Sequence, residues 1–467
     1  MSFSMTAASK TSLFRLYNPG TWGNSFALDG FPALKEGKAW PVRLAEFIEL
    51  KGAACMTTNQ TLFRQLLETG TLDDRLRVFV REGKTAAQVY QALYNEATME
   101  AAQIFSSIHE QWPCEGRVSQ EASALLTELE PLLNEVSRIS GAMAGVGAFT
   151  KIPNLAVGPQ AVRRAVATGR ISPNVTLVFS DKHYLDTTEG YLLGLNDLIE
   201  RLRGEGISAD EIRKTASAIH SVNSLFVSRV DRVVDPWIDE AVARETDPAK
   251  QKALKLLKGK VAVAQAKKVY ALFETIFLGK PFSDPEGLFA AEMPRITRMK
   301  ELFARLKTFG ANPQRLLIAS SGVKSDQPYS PLLYVLPFLG PWSANTMPEA
   351  TFEATVCFVA SLSDAQAADL RDRNLMAEPL PEIPTDIQPA GEWDRILQLT
   401  PAQRAQQGIG ALTADRILKQ ARDWVLTPKN SSLRQIGDQL RDKGAESFFA
   451  DEKATLQAIE TKLQQFR

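Results

Sequence analysis

Eight short apolar segments, each followed by a helical stretch and never by a second strand, run along this chain as far as Met347. They lie at residues 25–31, 53–59, 117–121, 148–153, 174–180, 223–229, 315–320 and 342–347. Between them apolar residues recur at helical spacing, as Leu62, Phe63, Leu66 and Leu67 do, or Val89, Leu93, Ala97 and Ala101. Strands without a hairpin partner must be joined by crossovers, and helical crossovers make neighbouring strands parallel. Eight such units predict an α/β fold: a (β/α)8 TIM barrel with additional C-terminal helices. A doubly wound open sheet is the structural alternative. No GxGxxG turn follows the first strand and no Walker motif occurs, so the sequence gives it no support.

Helices are also predicted near residues 122–139, 188–203, 248–277 and 293–307. Beyond the last strand the pattern changes. Helices near 351–361 and 363–374 lead to Pro379, Pro381, Pro384 and Pro389, a stretch that cannot be helical and reads as an extended surface connector. Further helices are predicted near 391–399, 413–426, 433–443 and 451–466. Asp451 is the N-cap candidate of the last, where Leu456, Ile459, Leu463 and Phe466 keep helical spacing. The chain then divides into a barrel over 1–360, a Pro-rich connector and helical insertion over 361–430, and C-terminal helices packing on the barrel over 431–467.

Lys plus Arg equals Asp plus Glu at 54 each, so no global field recruits nucleic acid or an acidic membrane. An anionic substrate must be met by a few placed cations. The three cysteines (Cys55, Cys114, Cys357) are widely spaced without a CxxC pair, which fits a reducing compartment. They read as barrel wall, loop thiol and helix packing respectively. Three scattered histidines (His109, His183, His220) argue against a metal centre, and no metal or cofactor is expected. The first fifteen residues lack an apolar signal core and no run of 18 apolar residues occurs, the pattern of a cytoplasmic protein. Gly141, Gly145 and Gly147 precede a strand and lack a following GK[ST], so they read as a turn.

Within the fourth segment, Ala148-Phe149-Thr150-Lys151-Ile152-Pro153, one lysine interrupts a run that reads as a strand covered on both faces. Pro153 stops the strand two residues later, so Lys151 lies near its carboxyl end, where barrel active sites collect. A lysine shielded from water there is a nucleophile toward carbonyls. Polar residues recur at the other strand ends: Asp29, Asn59, Glu121, Thr176, Ser224 with Arg229, Ser320 with Ser321, and Asn345 with Thr346. One lysine, two carboxylates and several neutral hydrogen-bonding groups suit carbonyl chemistry through an imine.

These residues carry a resemblance. The chain resembles the transaldolase family, class I and Schiff-base-forming, as a divergent member with a C-terminal insertion. Thr57-Thr58-Asn59 is similar to the family's second-strand element, Val118-Ser119-Gln120-Glu121 to its glutamate strand and Lys151-Ile152-Pro153 to its lysine strand. Asn174 to Ser180 resembles NxTLxFS, and Phe226 to Asp231 matches FVSRVD. Gln314 to Leu317, Ala319 to Gly322 with Lys324, and Asn345 to Glu349 complete the set, with a weaker match over residues 436–462. The resemblance implies that Lys151 forms a Schiff base with a ketose phosphate, that Glu121 shuttles protons through a water, and that Asp29 takes the hydroxyl proton as C3–C4 breaks. It implies that Asn59, Asn174, Thr176 and Ser224 orient water, imine and hydroxyls, and that Arg229, Ser320 and Lys324 bind phosphate. The implied partners are sugar phosphates, with no nucleic acid and no membrane; a homo-oligomer is left open.

The departures are local. Gln60 stands where the family has proline, Asn154-Leu155 where it has Ala-Thr, and Ser321 where it has threonine. The substitutions after Lys151 keep a Schiff-base aldolase of altered scope in view, and the extra C-terminal helices keep a catalytically weak barrel with an assembly role.

Overall fold

The computed structural model describes residues 12–35, 37–387, 389 and 391–467. Eight parallel strands close a barrel in chain order: Ser25–Asp29 (β1), Cys55–Thr57 (β2), Val118–Glu121 (β3), Ala148–Pro153 (β4), Pro173–Val178 (β5), Ser221–Phe226 (β6), Gln314–Ala319 (β7) and Ser343–Met347 (β8). β8 pairs back onto β1 through Ser25–Ala344 to Leu28–Met347. This is the (β/α)8 barrel, with helices following the strands and further helices after the last.

Several strands stop earlier than their apolar runs, for one physical reason. The polar residue at the end is an N-cap for the next helix, and capping needs a different backbone path from pairing. Asn59 Oδ1 accepts from Leu62 N at 2.9 Å and opens helix Gln60–Glu68. Ser180 Oγ accepts from His183 N at 3.2 Å and opens Asp181–Gly204. Ser228 is already the first residue of helix Ser228–Arg244. After β3 the chain runs as a loop, and the helix predicted from 122 begins at Leu129.

The amino-terminal end of the barrel is plugged by an ion pair. Arg315 on β7 donates to Glu115 at 2.8 Å, and Ser25 and Cys55 donate to the same carboxylate at 2.7 and 3.1 Å. Cys357, expected as helix packing, is instead exposed.

The helix predicted over 248–277 is two, Pro248–Lys255 and Val261–Leu278, because Gly259 adopts φ +67° between them. Asp231 and Asp235 take the freed amides, accepting from Ala262 N at 2.8 Å and Gly259 N at 3.0 Å. Buried lysines beside this break tie down the C-terminal segment. Lys260 Nζ donates to Ile383 O at 2.6 Å and Lys267 Nζ to Glu378 O at 3.0 Å. The Pro-rich stretch is therefore not a loose surface connector. Leu380–Pro381 pairs antiparallel with Ala411–Leu412, and Leu380 is buried.

The last two predicted helices are one, Leu433–Gln465, 33 residues long. Asp451 is not a cap. It lies inside this helix and accepts from Thr61 and, at 3.1 Å, from Arg64. Nothing between Lys443 and Asp451 breaks a helix except Gly444, and that glycine faces the barrel rather than a turn.

Candidate active site

A cavity of about 320 Å³ opens at the carboxyl ends of the strands. Its floor is set by register. Glu121 on β3 pairs with Lys151 on β4, which pairs with Asn174 on β5, so three polar side chains share one level of the barrel. Lys151 is 5% exposed. Its Nζ donates to Glu121 Oε2 at 3.1 Å and to Thr58 O at 3.0 Å. Asn174 Nδ2 donates to Ser119 Oγ at 3.0 Å, and Ser224 Oγ donates to Asn174 Oδ1 at 2.6 Å, which fixes the amide's orientation. Across the floor, Asp29 Oδ1 accepts from Thr57 Oγ1 at 2.7 Å, and Thr57 Oγ1 meets Thr346 Oγ1 at 2.6 Å.

Burial sets the electrostatics. It pushes the carboxyls of Glu121 and Asp29 above their ordinary range, against the pull of the nearby Lys151 charge. Glu121 Oε1, Thr176 Oγ1 and Asn154 Nδ2 are buried without a hydrogen-bond partner among the described residues. Such groups cost about 1–3 kcal/mol each in a folded chain, and they gather at this end of the barrel. The arrangement offers an amine within proton-transfer distance of a carboxyl that burial inclines toward its protonated form.

The opposite wall is cationic. Arg229 sits in the first turn of Ser228–Arg244 with its guanidinium 5.3 Å from the Phe226 ring. Among the described residues nothing accepts a hydrogen bond from it, so it is available to an anion. Burial lowers its proton affinity, while Asp29 and Glu121 raise it. Ser320 takes φ +54°, rare for a residue with a Cβ, and its Oγ lies 3.1 Å from Ser228 Oγ. Lys324 is exposed at the rim.

Of the residues expected from sequence, Asp29, Asn59, Lys151, Thr176, Ser224, Arg229, Ser320 and Lys324 line the cavity. Glu121 and Asn174 stand behind it, reaching it through Lys151 and Ser224. Asn59 Oδ1 caps a helix, and its amide nitrogen makes no hydrogen bond among the described residues. Sequence reading missed Ser447, Phe448 and Asp451, which the terminal helix lays along the cavity wall. Two glycines seven residues apart allow that approach. A Cβ on Gly437 would stand 3.0 Å from Ser180 Cβ, and one on Gly444 would stand 2.9 Å from Leu177 Cδ2. That spacing was the available signal.

Residues 39–378 match the model of the family described as Transaldolase/Fructose-6-phosphate aldolase. The chain belongs to this family. It is 32% identical over 315 residues to Transaldolase 2 of Streptomyces coelicolor, covering 67% of this chain and 73% of that one. It is 30% identical over 314 residues to a transaldolase of Trichodesmium erythraeum, covering 67% and 74%. A transaldolase of Mycobacterium bovis aligns over 350 residues at 29% identity, covering 74% and 82%. The family match spans all eight strands except β1, and with it every cavity residue except Asp29 and the three on the terminal helix. No helix among the described residues is long and apolar enough to cross a membrane.

Proposed function

We propose that this family member is a transaldolase that moves a dihydroxyacetone unit from a ketose phosphate to an aldose phosphate through an imine on Lys151. The observation that carries the reading is the Lys151–Glu121 contact of 3.1 Å at the floor of a cavity whose far wall holds an unpaired arginine. A proton passed from Nζ to the buried Glu121 carboxyl leaves a neutral amine without any external base. That amine adds to the ketose carbonyl, and Glu121 returns its proton as the carbinolamine loses water. Asp29 accepts the C4 hydroxyl proton as C3–C4 breaks, and the aldose phosphate departs. The three-carbon enamine stays on Lys151 until the aldehyde carbon of an acceptor bonds to it, after which water releases the product.

Thr176, Ser224, Asn174 and the amide nitrogen of Asn59 orient the water and hydroxyls. Arg229, with Ser320 and Lys324, takes the phosphate. The fitting donors are sedoheptulose 7-phosphate and fructose 6-phosphate, with glyceraldehyde 3-phosphate and erythrose 4-phosphate as acceptors, the chemistry of the non-oxidative pentose phosphate pathway. Phe226, Ala319 and Phe448 give the cavity an apolar wall, with Leu155 packed against it. A dry wall protects the enamine and imine from hydrolysis, favouring transfer over release of free dihydroxyacetone.

Borohydride reduction with fructose 6-phosphate, then peptide mapping, tests the site. A three-carbon adduct on Lys151 is expected; no adduct, or one on another lysine, overturns the assignment. Assaying free dihydroxyacetone with and without an aldose acceptor tests the transfer reading. Equal release in both conditions would replace it with an aldolase.

A further inference from the structure

A cavity of about 1300 Å³ lies at the opposite mouth of the barrel, under the amino-terminal ends of β3 to β6. Its wall carries Arg117, Arg164, Arg170, Arg201, His109 and His220 and, among the described residues, no carboxylate. In a chain with equal numbers of acidic and basic residues, that imbalance is local.

Arg164 and Arg201 are already engaged by Glu130 and Glu205, which do not themselves line the cavity. Arg117 and Arg170 are not. Four arginines are buried among the described residues, and three of them pair with a carboxylate: Arg43 with Glu349, Arg315 with Glu115 and Arg404 with Glu378. Arg117 is the exception. It is 7% exposed, and its Nε and Nη1 donate to the carbonyls of Pro113 and Ala148 at 2.7 and 3.1 Å. Its Nη2 makes no hydrogen bond among the described residues. The Phe149 ring, 5.1 Å from the guanidinium, and the nearby Glu115 charge compensate Arg117 in part, and Nη2 is left for an added anion.

Burial, then Arg117, Arg315 and His109, hold His220 down to about 3. His109 donates from Nδ1 to the carbonyl of Glu115 at 2.9 Å, leaving Nε2 unused.

We infer that this amino-terminal cavity is a second binding site, for a small phosphate ester carrying more than one phosphoryl charge, held by Arg117 and Arg170 with the rim arginines behind them. Arginine guanidinium groups suit such oxygens, and the volume exceeds what one phosphate group needs. Ala148, on the cavity wall, begins the strand that carries Lys151 three residues on, about 10 Å away along the strand.

Isothermal titration of sodium tripolyphosphate into the full chain tests this, with Arg229→Ala as background so that the catalytic mouth is silenced. Binding is expected in that background and should weaken about tenfold or more on adding Arg170→Glu, an exposed change that spares the fold. Adding Arg117→Gln should weaken it further. No binding in the Arg229→Ala background, or binding indifferent to both arginine changes, overturns the inference. Competition by ATP and by fructose 1,6-bisphosphate separates the sources, the stronger competitor identifying the ligand class. Failure of both to displace tripolyphosphate overturns the assignment to a phosphate ester.

Discussion

Replacing Lys151 by methionine keeps the volume of the side chain and removes the charge, which isolates the energetics of the pair with Glu121. Both partners are buried, with side-chain exposures of 6% and 0%. Removing one member of a buried pair costs about 3–5 kcal/mol, because the other charge is left uncompensated. A limit comes from protonation. Glutamic acid kept neutral at pH 7, roughly 2.7 units above its unperturbed value, costs about 3.7 kcal/mol. Lys151→Met should therefore lose about 3–4 kcal/mol at pH 7. The sign with pH follows from the raised Glu121 carboxyl. Its stability contribution is present below the unfolded value of about 4.3 and lost as pH rises toward the folded one. The deficit should then nearly vanish at pH 4 and grow toward pH 8. The double variant Lys151→Met/Glu121→Gln removes both charges and should regain most of the loss, while remaining inactive. Urea unfolding of the four proteins between pH 4 and 8 closes the cycle. If the two single losses simply add in the double variant, or the Lys151→Met deficit is independent of pH, the pair is not the coupled proton store on which the mechanism rests.

Three other changes probe the surroundings. Burial raises the Asp29 carboxyl, so its contribution is present at low pH and lost as pH rises; Asp29→Asn should raise Tm at pH 8, match the wild type near pH 3, and abolish turnover, as scanning calorimetry and an activity assay would show. Gly444→Ala would gain about 1 kcal/mol in an open helix, but here its Cβ meets Leu177 Cδ2 at 2.9 Å and Arg229 Nη1 at 3.5 Å. The gain should disappear, and Gly444→Val should cost about 1–3 kcal/mol and raise KM for sugar phosphates, read by urea unfolding and initial rates. Arg315→Met strips Glu115 of its cation at the barrel base and should cost about 3–5 kcal/mol in urea, without moving the KM of whatever folds.

How much of this was legible in the sequence depends on the range of the forces involved. The strand Ala148–Pro153 is read at its true limits, because an apolar run and a terminal proline are local signals. The ends near Asn59 and Ser180 are overextended, since a capping side chain and a strand residue look alike until the backbone turns. Lys151, Asp29 and Arg229 stand out because a charge beside an apolar run is conspicuous. Thr57 and Thr346 do not, since threonine is ordinary in any strand, and only closure of the barrel brings their hydroxyls within 2.6 Å. The terminal helix is the clearest miss. Its unbroken course past Gly444 depends on contacts with Leu177 and Ser180, more than 250 residues earlier in the chain, which no local pattern encodes.

Costly features occur at both mouths of the barrel: Trp22, Asn24 and Trp342 take positive φ just before β1 and β8, and others surround the cavity at the carboxyl end. At the carboxyl end lie the raised carboxyls, the unpartnered oxygens of Glu121 and Thr176, and two non-glycine residues at positive φ, Leu177 at +60° and Ser320 at +54°. Each is a cost in a folded chain. Leu177 sits where the β5–β6 register shifts between Val175 and Val178, a bulge that re-aims the residues after it. At the amino end the polar groups are mostly satisfied: Glu115 alone gathers Arg315, Ser25 and Cys55. Arg315 Nε is an exception there, and Arg117, whose Nη2 makes no hydrogen bond among the described residues, has no part in the proposed imine chemistry. Arg229 at one mouth and Arg117 at the other share a guanidinium that no carboxylate pairs with among the described residues, whereas Lys151 is paired with Glu121 at 3.1 Å.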